Sequence, residues 1–514
     1  MVAKLIRLFV VGAVAVSAGA ESESWTHYGH FSSRQSIAVD GPNIIDSNTL
    51  EWQAWQDPQD PEYYVEFEGP TGTVLYDGKV YAYAKYFEPN EQSPTGFDYT
   101  ASQIIAYDSN SGEILWARPV DMAIYGSCSS ACIDTKHNTV LIGSGYKLFA
   151  LDAEGGTVQW STPLEKPIVN ASACTALDIP YARAFITDYD GFGSSGKLYC
   201  INLDANGPGN PYQQGEIVWS DTLGATSGNS PAYKDGAVYA ASLTGTDSFY
   251  GSIHAYDAAA DEAVELWESS DPNFEGFCGG VTVTKEGYLY AANYDWSQEC
   301  QDNSALCKID CNDGSIVWIA QTERTNAIPV VVGDTIYICG GIADDPPWFV
   351  GSRAKVEAYR DLGTSVVKLW ETGPNIVVGG WTSQPVYANG KLYVGAIPAD
   401  GDYFGLYTDL YILDVTLTPD DPNFVMGHFS GCGNSPAVTC DSLYSTGYDG
   451  LFKFGQPARL GDITGDGKVD LLDLAKMTQK WLFDGAVGLE RNDLSLDGKV
   501  DMIDFSLLAG SRVE

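Results

Sequence analysis

Basic residues are scarce in this sequence: 28 Lys and Arg stand against 68 Asp and Glu, and the formal charge is −40. Such an acidic chain repels nucleic acid and anionic lipid, so the composition argues against nucleic acid as a partner. After residue 16 there is also no uninterrupted apolar run long enough to cross a bilayer. We therefore expect no direct membrane insertion.

Catalytic motifs are lacking as well. The chain has five His and contains no HExxH, GxSxG or Walker pattern, and no CxxC pair. Its many Asp and Glu offer carboxylate pairs for glycoside hydrolysis, but nothing singles out two of them. The sequence therefore predicts no catalytic residue and leans away from an enzyme.

Eleven cysteines suit an oxidising compartment. The count is odd, so at least one thiol stays unpaired within the chain. The closely spaced Cys300, Cys307 and Cys311 are predicted to staple one long loop by a disulfide, although the sequence does not assign the bond.

The first twenty residues have the pattern of a secretory signal peptide. Lys4 and Arg7 precede an apolar run at 8–16, and small residues follow at 18–20. We expect cleavage after Ala20 and a secreted protein. Loss of the two basic residues would change the formal charge from −40 to −42.

The last fifty-odd residues carry one calcium-loop pattern twice. In each copy oxygen side chains stand at loop positions 1, 3, 5, 9 and 12, Gly stands at position 6, and a Lys offers its carbonyl at position 7. Ca²⁺ prefers six to eight oxygen ligands, and the twelve-residue loop turns sharply at its glycine. The predicted ligands of two Ca²⁺ ions are Asp462, Thr464, Asp466, Lys468, Asp470 and Asp473, then Asp493, Ser495, Asp497, Lys499, Asp501 and Asp504.

Short apolar helices are predicted after these loops, at 471–482 and 502–509. The duplicated loop and helix resemble the dockerin module, which binds cohesin domains in extracellular polysaccharide-degrading assemblies. The resemblance covers about 461–510 and implies a cohesin-like partner or a neighbouring protein subunit. Dockerins often carry hydroxyl residues at loop positions 10 and 11, where the partner binds. This chain has apolar residues there instead: Leu471, Leu472, Met502 and Ile503.

A tryptophan repeat fills the middle of the chain. Each unit has a hydrophobic strand, a turn that usually contains Gly, and a Trp, and successive Trp lie 44 to 59 residues apart. A seventh unit runs from Leu413 to about Phe424 without a Trp. This period, with short alternating strands and tight turns, predicts four-stranded propeller blades. The repeat tryptophans are Trp116, Trp160, Trp219, Trp267, Trp318 and Trp370.

The ring is predicted to close through an eighth blade shared by both ends of the chain. Strands at 443–448 and 451–454 lack a fourth partner, and the segment 50–55, with Trp52 and Trp55, supplies one. The fold prediction is therefore an all-β, eight-bladed propeller at 21–456. A small α-helical calcium module follows at 457–514.

The repeat resembles the pyrroloquinoline-quinone-type propeller family over about 25–456. That family includes quinone-dependent dehydrogenases and non-catalytic scaffolds. Its dehydrogenases hold the quinone between an adjacent Cys-Cys pair and a Trp. This chain has no Cys-Cys dipeptide, although Trp381 resembles the stacking Trp, so the resemblance argues against pyrroloquinoline quinone as a cofactor.

Long loops between the second and third strands of six blades are rich in aromatic and acidic residues. In a propeller these loops emerge on one face, where ligands usually bind. Three roles stay open: packing of the loops on themselves, contact with a protein, and contact with a glycan. The predicted ligand-face residues are Tyr189, Phe249, Tyr250, Trp296, Trp348, Phe349, Tyr403 and Phe404.

Alignment of the first strands predicts a ring of residues at the mouth of the axial channel. Hydration is its expected role. The predicted ring residues are Thr71, Cys128, Asn170, Asn229, Cys278, Ala327, Ser383 and Asn434.

The leading function predicted for the protein is a secreted, non-catalytic scaffold or adaptor. A self-assembling extracellular subunit and a polysaccharide-active or quinone-dependent enzyme are the alternatives.

Overall fold

A computed structural model shows eight antiparallel blades of four strands arranged as a propeller, with a fifth, parallel strand, Ile37–Ala38, added to one of them. The predicted all-β, eight-bladed fold is confirmed. The structure describes residues 24–54, 56–57, 60–90, 92–93, 96–127, 129–245, 250–294, 304–342, 352–397, 407–448 and 450–455, together with Leu474, Met477, Thr478 and Phe505.

Each blade runs outward from a short inner strand, and blades 1 to 7 are continuous in sequence. Blade 1 comprises Val74–Tyr76, Lys79–Pro89, Phe97–Asp108 and Ile114–Val120; blade 2 Cys132–Asp134, Thr139–Ser144, Lys147–Asp152 and Val158–Pro163; blade 3 Cys174–Ala176, Arg183–Thr187, Gly196–Asn202 and Ile217–Gly224; blade 4 Ala232–Lys234, Ala237–Ser242, Ser252–Asp257 and Glu265–Ser270. Blade 5 comprises Val281–Val283, Tyr288–Ala292, Ser304–Asp310 and Ile316–Thr322; blade 6 Val330–Val332, Thr335–Gly340, Lys355–Asp361 and Val366–Glu371; blade 7 Val386–Ala388, Lys391–Ala396, Asp409–Asp414 and Val425–Ser430.

Blade 8 is shared by the two ends of the propeller, as the sequence predicts. Its three inner strands are Ala437–Val438, Ser442–Gly447 and Gly450–Gly455, and its outer strand is Leu50–Ala54 from the other end. A small pair, Gln56–Asp57 with Asp60–Tyr64, follows that outer strand. Because the first and last strands meet in one sheet, the strand Gly450–Gly455 is paired on both sides and the ring is closed.

The repeat tryptophans join neighbouring blades. Trp116 of blade 1 lies on Gly156 of blade 2, where an added Cβ would fall 2.4 Å from the ring, and its indole N–H donates to the Ala153 carbonyl at 3.2 Å. Trp160 on Gly215 and Trp267 on Gly314 repeat this packing. Large aromatic rings with a satisfied N–H suit such inter-blade contacts. The Gly and Trp of the repeat therefore belong to one inter-blade joint.

Blade 7 lacks a repeat Trp and packs by phenylalanines instead. The Phe424 ring meets Trp370 of blade 6 edge-on, with ring centroids 5.4 Å apart. On the other side, Phe429 contacts Phe454 of blade 8 at 4.8 Å. The irregular unit predicted around Phe424 therefore keeps the aromatic joint with different side chains.

Tight hairpins join the first and second strands. In the turn Asp77-Gly78 both residues have positive φ, at +48° and +71°, and Asn389-Gly390 has the same geometry. Asn or Asp followed by Gly is the preferred sequence for such a turn, because its twist matches the flanking strands. These dipeptides set the strand register at the inner edge of blades 1 and 7.

The sequence predicted a disulfide among Cys300, Cys307 and Cys311. In the structure Cys307 and Cys311 are unbridged thiols. Cys307 lies buried on the third strand of blade 5, and the Cys311 carbonyl accepts the indole N–H of Trp267. Their strand and turn positions explain why the close spacing in sequence does not bring the thiols together. Cys300 lies outside the described residues.

Beyond residue 455 the structure describes four residues, Leu474, Met477, Thr478 and Phe505, and all four are helical. The signal peptide at 1–20 and most of the predicted calcium module lie outside the described residues. Where the structure describes the chain, it contains no helix long and apolar enough to cross a membrane.

Candidate functional site

The two faces of the propeller differ in their connections. The loops between the second and third strands all emerge on one side, together with the connections from one blade to the next; we call this side the loop face. Its loops between second and third strands span 90–96, 145–146, 188–195, 243–251, 293–303, 341–354, 397–408 and 448–449. Six of these are long, as predicted, whereas blades 2 and 8 have two-residue turns.

The opposite side of the axial channel is covered by residues 24–38, which we call the N-terminal strap. Backbone N–H groups of five inner strands donate to strap carbonyls at 2.8 to 3.0 Å, and Ile37–Ala38 pairs in parallel with the inner strand of blade 7. No sequence pattern indicates the strap, because its bonds to the inner strands use backbone atoms. The donor and acceptor pairs are Leu75 to Trp25, Ile133 to Thr26, Tyr233 to Ser32, Val283 to Ser33 and Tyr387 to Ser36.

Arg34 anchors the strap inside the channel. Its side chain is fully buried, and its guanidinium donates to the carbonyls of Ser172, Ala173 and Pro231 at 2.7 to 3.0 Å, and to Tyr28 within the strap. Burial lowers the pKa of Arg34. A cation held by several carbonyls fixes the strap across two blades, so the channel is closed on this side.

The ring at the channel mouth is built largely as predicted, with two corrections. Counting back three residues from each inner strand reaches Thr71, Asn229, Cys278, Ala327, Ser383 and Asn434, all buried. In blades 2 and 3 the same count reaches Ser129 and Ala171, so the predicted Cys128 and Asn170 are each one residue too early. Cys128 itself lies outside the described residues.

Hydrogen bonds between inner strands confirm this register. In blades 2, 3, 4 and 8 the Ser after the ring position accepts a backbone N–H from the preceding blade, from Gly72 to Ser130 Oγ at 2.8 Å and from Ser130 to Ser172 Oγ at 2.8 Å in the first two. Ser172 to Ser230 and Gln384 to Ser435 follow the same pattern. A recurring Ser before Ala or Pro was the sequence signal that would have aligned blades 2 and 3.

Trp381 lies in a buried apolar cluster at the loop-face end of the channel. Its ring contacts Tyr294 edge-on, with centroids 5.5 Å apart, and 8% of the residue is exposed. A stacking Trp for a quinone needs an open face, and the partner Cys-Cys pair is absent from the sequence. These residues do not fit pyrroloquinoline quinone. The other members of the cluster are Ala225, Leu243, Cys278, Ile342, Ile397 and Tyr407.

Exposed aromatic side chains are concentrated on the loop face. Six aromatic residues are exposed in the part of the chain that the structure describes, and five of them lie on the loop face. The sixth, Phe31, belongs to the strap on the opposite side. The remaining five are Tyr125, Tyr146, Phe192, Tyr250 and Tyr448. Three of these escaped the sequence reasoning because they lie outside the long loops, in a connection between blades or in tight turns: Tyr125, Tyr146 and Tyr448.

Two of the predicted ligand-face residues are described. Tyr189 is half-buried and meets Tyr125 edge-on with ring centroids 6.1 Å apart, and Tyr250 is exposed on blade 4. The structure therefore places both on the loop face. The other predicted ligand-face residues lie outside the described residues: Phe249, Trp296, Trp348, Phe349, Tyr403 and Phe404.

Two buried carboxyl groups support the loop face. Glu68 accepts hydrogen bonds from Ser102 Oγ at 2.6 Å and from the Tyr99 hydroxyl at 2.5 Å, and Asp188 accepts one from the Tyr199 hydroxyl at 2.8 Å. Burial raises the pKa of Glu68 and of Asp188. Since both side chains are almost completely buried, they hold the loops in place and do not face a substrate.

The predicted calcium loops and docking residues lie outside the described residues, so their ligand chemistry is read from the sequence. Five oxygen side chains and one carbonyl per loop suit a hard divalent cation, and the fit to Ca²⁺ is good. The residues concerned are Asp462, Thr464, Asp466, Lys468, Asp470, Asp473, Asp493, Ser495, Asp497, Lys499, Asp501 and Asp504, and the docking residues Leu471, Leu472, Met502 and Ile503.

Two protein families match parts of the chain. Residues 460–510 match the model of the dockerin type I domain. Residues 54–208 match the model described as outer membrane protein assembly factor BamB, a repeat of the pyrroloquinoline-quinone type. No curated protein matches the chain.

Several solved propellers resemble the structure. Quinohemoprotein alcohol dehydrogenase ADHIIG from Pseudomonas putida HK5 is 13% identical, with a TM-score of 0.52, and the match covers 87% of this chain and 82% of that one. The corresponding enzyme from Comamonas testosteroni is 11% identical, with a TM-score of 0.54 and coverage of 86% and 82%. A europium-containing methanol dehydrogenase is 10% identical, with a TM-score of 0.54 and coverage of 83% and 89%.

At these identities the likeness to the dehydrogenases shows a shared fold and carries no activity over. The repeat, the eight blades and the two family matches agree with one another. The chain is an eight-bladed propeller in which residues 54–208 match a repeat of the pyrroloquinoline-quinone type, and residues 460–510 match the dockerin type I domain.

Proposed function

We propose that this protein is a secreted, non-catalytic adaptor. Its propeller presents the loop face as a binding surface, and its C-terminal module recruits the propeller to an extracellular assembly. The observation that carries the proposal is the dockerin type I match at residues 460–510, joined to a propeller whose Trp381 does not fit a quinone site. Concentration of exposed aromatic residues on one face supports the binding role.

Calcium is the switch in this proposal. The loops beginning at Asp462 and Asp493 would each hold one Ca²⁺ through carboxylate, hydroxyl and carbonyl oxygens. A module of about fifty residues buries little apolar surface, so bound metal would supply much of its folding free energy. Removal of calcium is therefore expected to unfold the module and release the partner, while the propeller stays folded.

The docking surface is proposed at Leu471-Leu472 and Met502-Ile503. The two pairs stand at the same loop positions of a duplicated motif, so either one can present the same apolar patch to a cohesin-like partner. An apolar contact is screened little by salt, unlike an ion pair. Binding should accordingly depend on calcium but change little between low and moderate ionic strength.

Affinity capture from the native secretome tests this proposal, with the full chain as bait. We expect one set of partners to be captured with Ca²⁺ and lost with chelator. Leu472→Asp alone should retain them, whereas Leu472→Asp combined with Ile503→Asp should not. Leu115→Asp, at an exposed apolar residue of blade 1, is the matched control. Capture of the same partners by the double variant would place the docking surface elsewhere.

A further inference from the structure

Four aromatic residues lie on adjoining loops at the loop face of blades 1 to 3. We call Tyr125, Tyr146, Tyr189 and Phe192 the aromatic platform. Tyr125 and Tyr189 meet edge-on. The connection between blades 2 and 3 links the other loops, because Leu164 donates its N–H to the Tyr146 carbonyl and Tyr189 donates to the Pro167 carbonyl, both at 2.8 Å. The four residues therefore belong to one continuous surface.

Tyr125 is held in an exposed, strained position. It is 81% exposed and has φ +59°, in the left-handed region that bulky side chains rarely adopt. The adjoining Gly126 packs against Gly69, where an added Cβ would lie 2.6 Å from the Gly126 carbonyl oxygen. Strain of this kind persists where the surrounding structure imposes it, and such residues cluster at ligand-binding sites.

Phe192 projects from a loop whose interior is already filled. The carboxylate of Asp190 accepts the backbone N–H of Ser195 at 2.8 Å and that of Thr226 at 3.0 Å. With Asp190 occupying the inside of the loop, Phe192 is left 75% exposed at the tip. An aromatic ring on an internally bonded loop loses little conformational freedom on binding, which favours affinity.

The lysines around the platform are all paired. The distance from the lysine Nζ to a carboxylate oxygen is 3.0 Å for Lys147 and Asp121 and 3.3 Å for Lys166 and Asp190. It is 2.5 Å for Lys197 and Glu165. These pairs leave no lysine of the platform loops to select a negatively charged ligand, and the formal charge of −40 repels polyanions. The platform therefore offers a ligand apolar ring surfaces beside carboxylate and carbonyl acceptors.

We propose that the aromatic platform binds a neutral polysaccharide built of pyranose units. Such sugars present flat C–H faces to Tyr125 and Phe192, and their hydroxyls donate to the neighbouring carboxylates. The proposal deepens the binding role of the loop face and rests on it. A protein partner would also use exposed aromatics, but the pairing of the lysines and the internally bonded loop of Phe192 favour the sugar chain.

Isothermal titration calorimetry of the full chain tests the proposal, with cellohexaose and xylohexaose as neutral probes and polygalacturonate as the acidic one. We expect saturable binding of at least one neutral hexaose and none of polygalacturonate. Tyr125→Asn keeps a residue that tolerates the left-handed backbone. This variant and Phe192→Ala should each weaken binding at least tenfold.

Tyr448→Ala is the matched control, because Tyr448 is exposed on the loop face of blade 8, outside the platform. It should leave hexaose affinity within twofold of the wild type. Hexaose binding should also persist in chelator, which separates this site from calcium-dependent recruitment. Absence of binding by both hexaoses would overturn the proposal, as would equal binding by wild type and platform variants. Loss of a captured protein in the platform variants, without hexaose binding, would assign the platform to a protein partner.

Discussion

Trp52 lies across Gly112. The tryptophan comes from the N-terminal outer strand of blade 8, and the glycine lies in the last turn of blade 1, where an added Cβ would fall 2.7 Å from two indole carbons. The indole N–H donates to the Ser109 carbonyl at 3.2 Å. This contact repeats, at the point where the ring closes, the Trp and Gly joint found between blades 1 and 2.

Gly112→Ala should destabilise the closure between blades 8 and 1. Gly78→Ala is a matched control, since Gly78 has φ +71° against +72° for Gly112, but an added Cβ there meets no atom within 4 Å. The backbone cost of about 1 kcal/mol should be common to both variants. We expect Gly112→Ala to lose at least a further 1 kcal/mol in denaturant unfolding, because the Cβ displaces Trp52. Equal losses would contradict the proposed role of the joint.

Arg34→Met should loosen the N-terminal strap. The substitution removes donors to four carbonyls that lie in the channel, at an expected cost of about 2–4 kcal/mol. Hydrogen exchange should accelerate at the amides of Leu75 and Ile133, which bond to the strap. Arg360→Met is the control, because Arg360 is exposed and its Nε atom lies 3.7 Å from a carboxylate oxygen of Asp334. Unchanged exchange at those amides would show that Arg34 does not fix the strap.

Acid should weaken the strap through its two histidines. Burial lowers the pKa of His30 to about 4 despite contacts with two carbonyls, and burial, with the nearby charge of Arg34, lowers the pKa of His27 well below its usual 6.5. Between pH 6.5 and about 4 the unfolded chain therefore binds protons that the folded chain excludes. Stability should fall as pH falls through this window, by about 1.4 kcal/mol per pH unit for His30, and His27 should act in the same direction.

His30→Phe isolates this effect, because the ring keeps its stack on Trp25 at a centroid distance of 4.1 Å and loses its titration. Thermal unfolding of wild type and variant between pH 4.5 and 6.5 should show a shallower pH dependence for the variant. The same slope in both proteins would exclude His30 as a source of acid lability.

The propeller could be predicted from the sequence because its determinants are local. Gly-containing turns, the repeat Trp and the Asp-Gly or Asn-Gly hairpins each fix a short piece of backbone, and they recur at blade spacing. The shared blade followed from counting: the last unit lacked a Trp strand, and Trp52 stood unassigned near the start of the chain.

The strap and two of the four platform residues could not be predicted for the opposite reason. The strap binds through backbone carbonyls and has no periodic pattern that a sequence reader can align. Tyr125 and Tyr146 gain their position from a connection between blades and a two-residue turn, which only the folded ring brings beside Tyr189. The ring register failed in blades 2 and 3, where Ser130-Ala131 and Ser172-Ala173 mark the correct alignment.

The calcium module is central to the account, and calorimetric titration of Ca²⁺ into the chelator-stripped full chain tests it most directly. We predict that the wild-type chain binds two Ca²⁺ ions, and that the double variant Asp462→Ala with Asp493→Ala binds neither. Asp420→Ala, at an exposed carboxylate in a turn of blade 7, should still bind two. Binding of fewer than one ion by the wild-type chain would contradict the account.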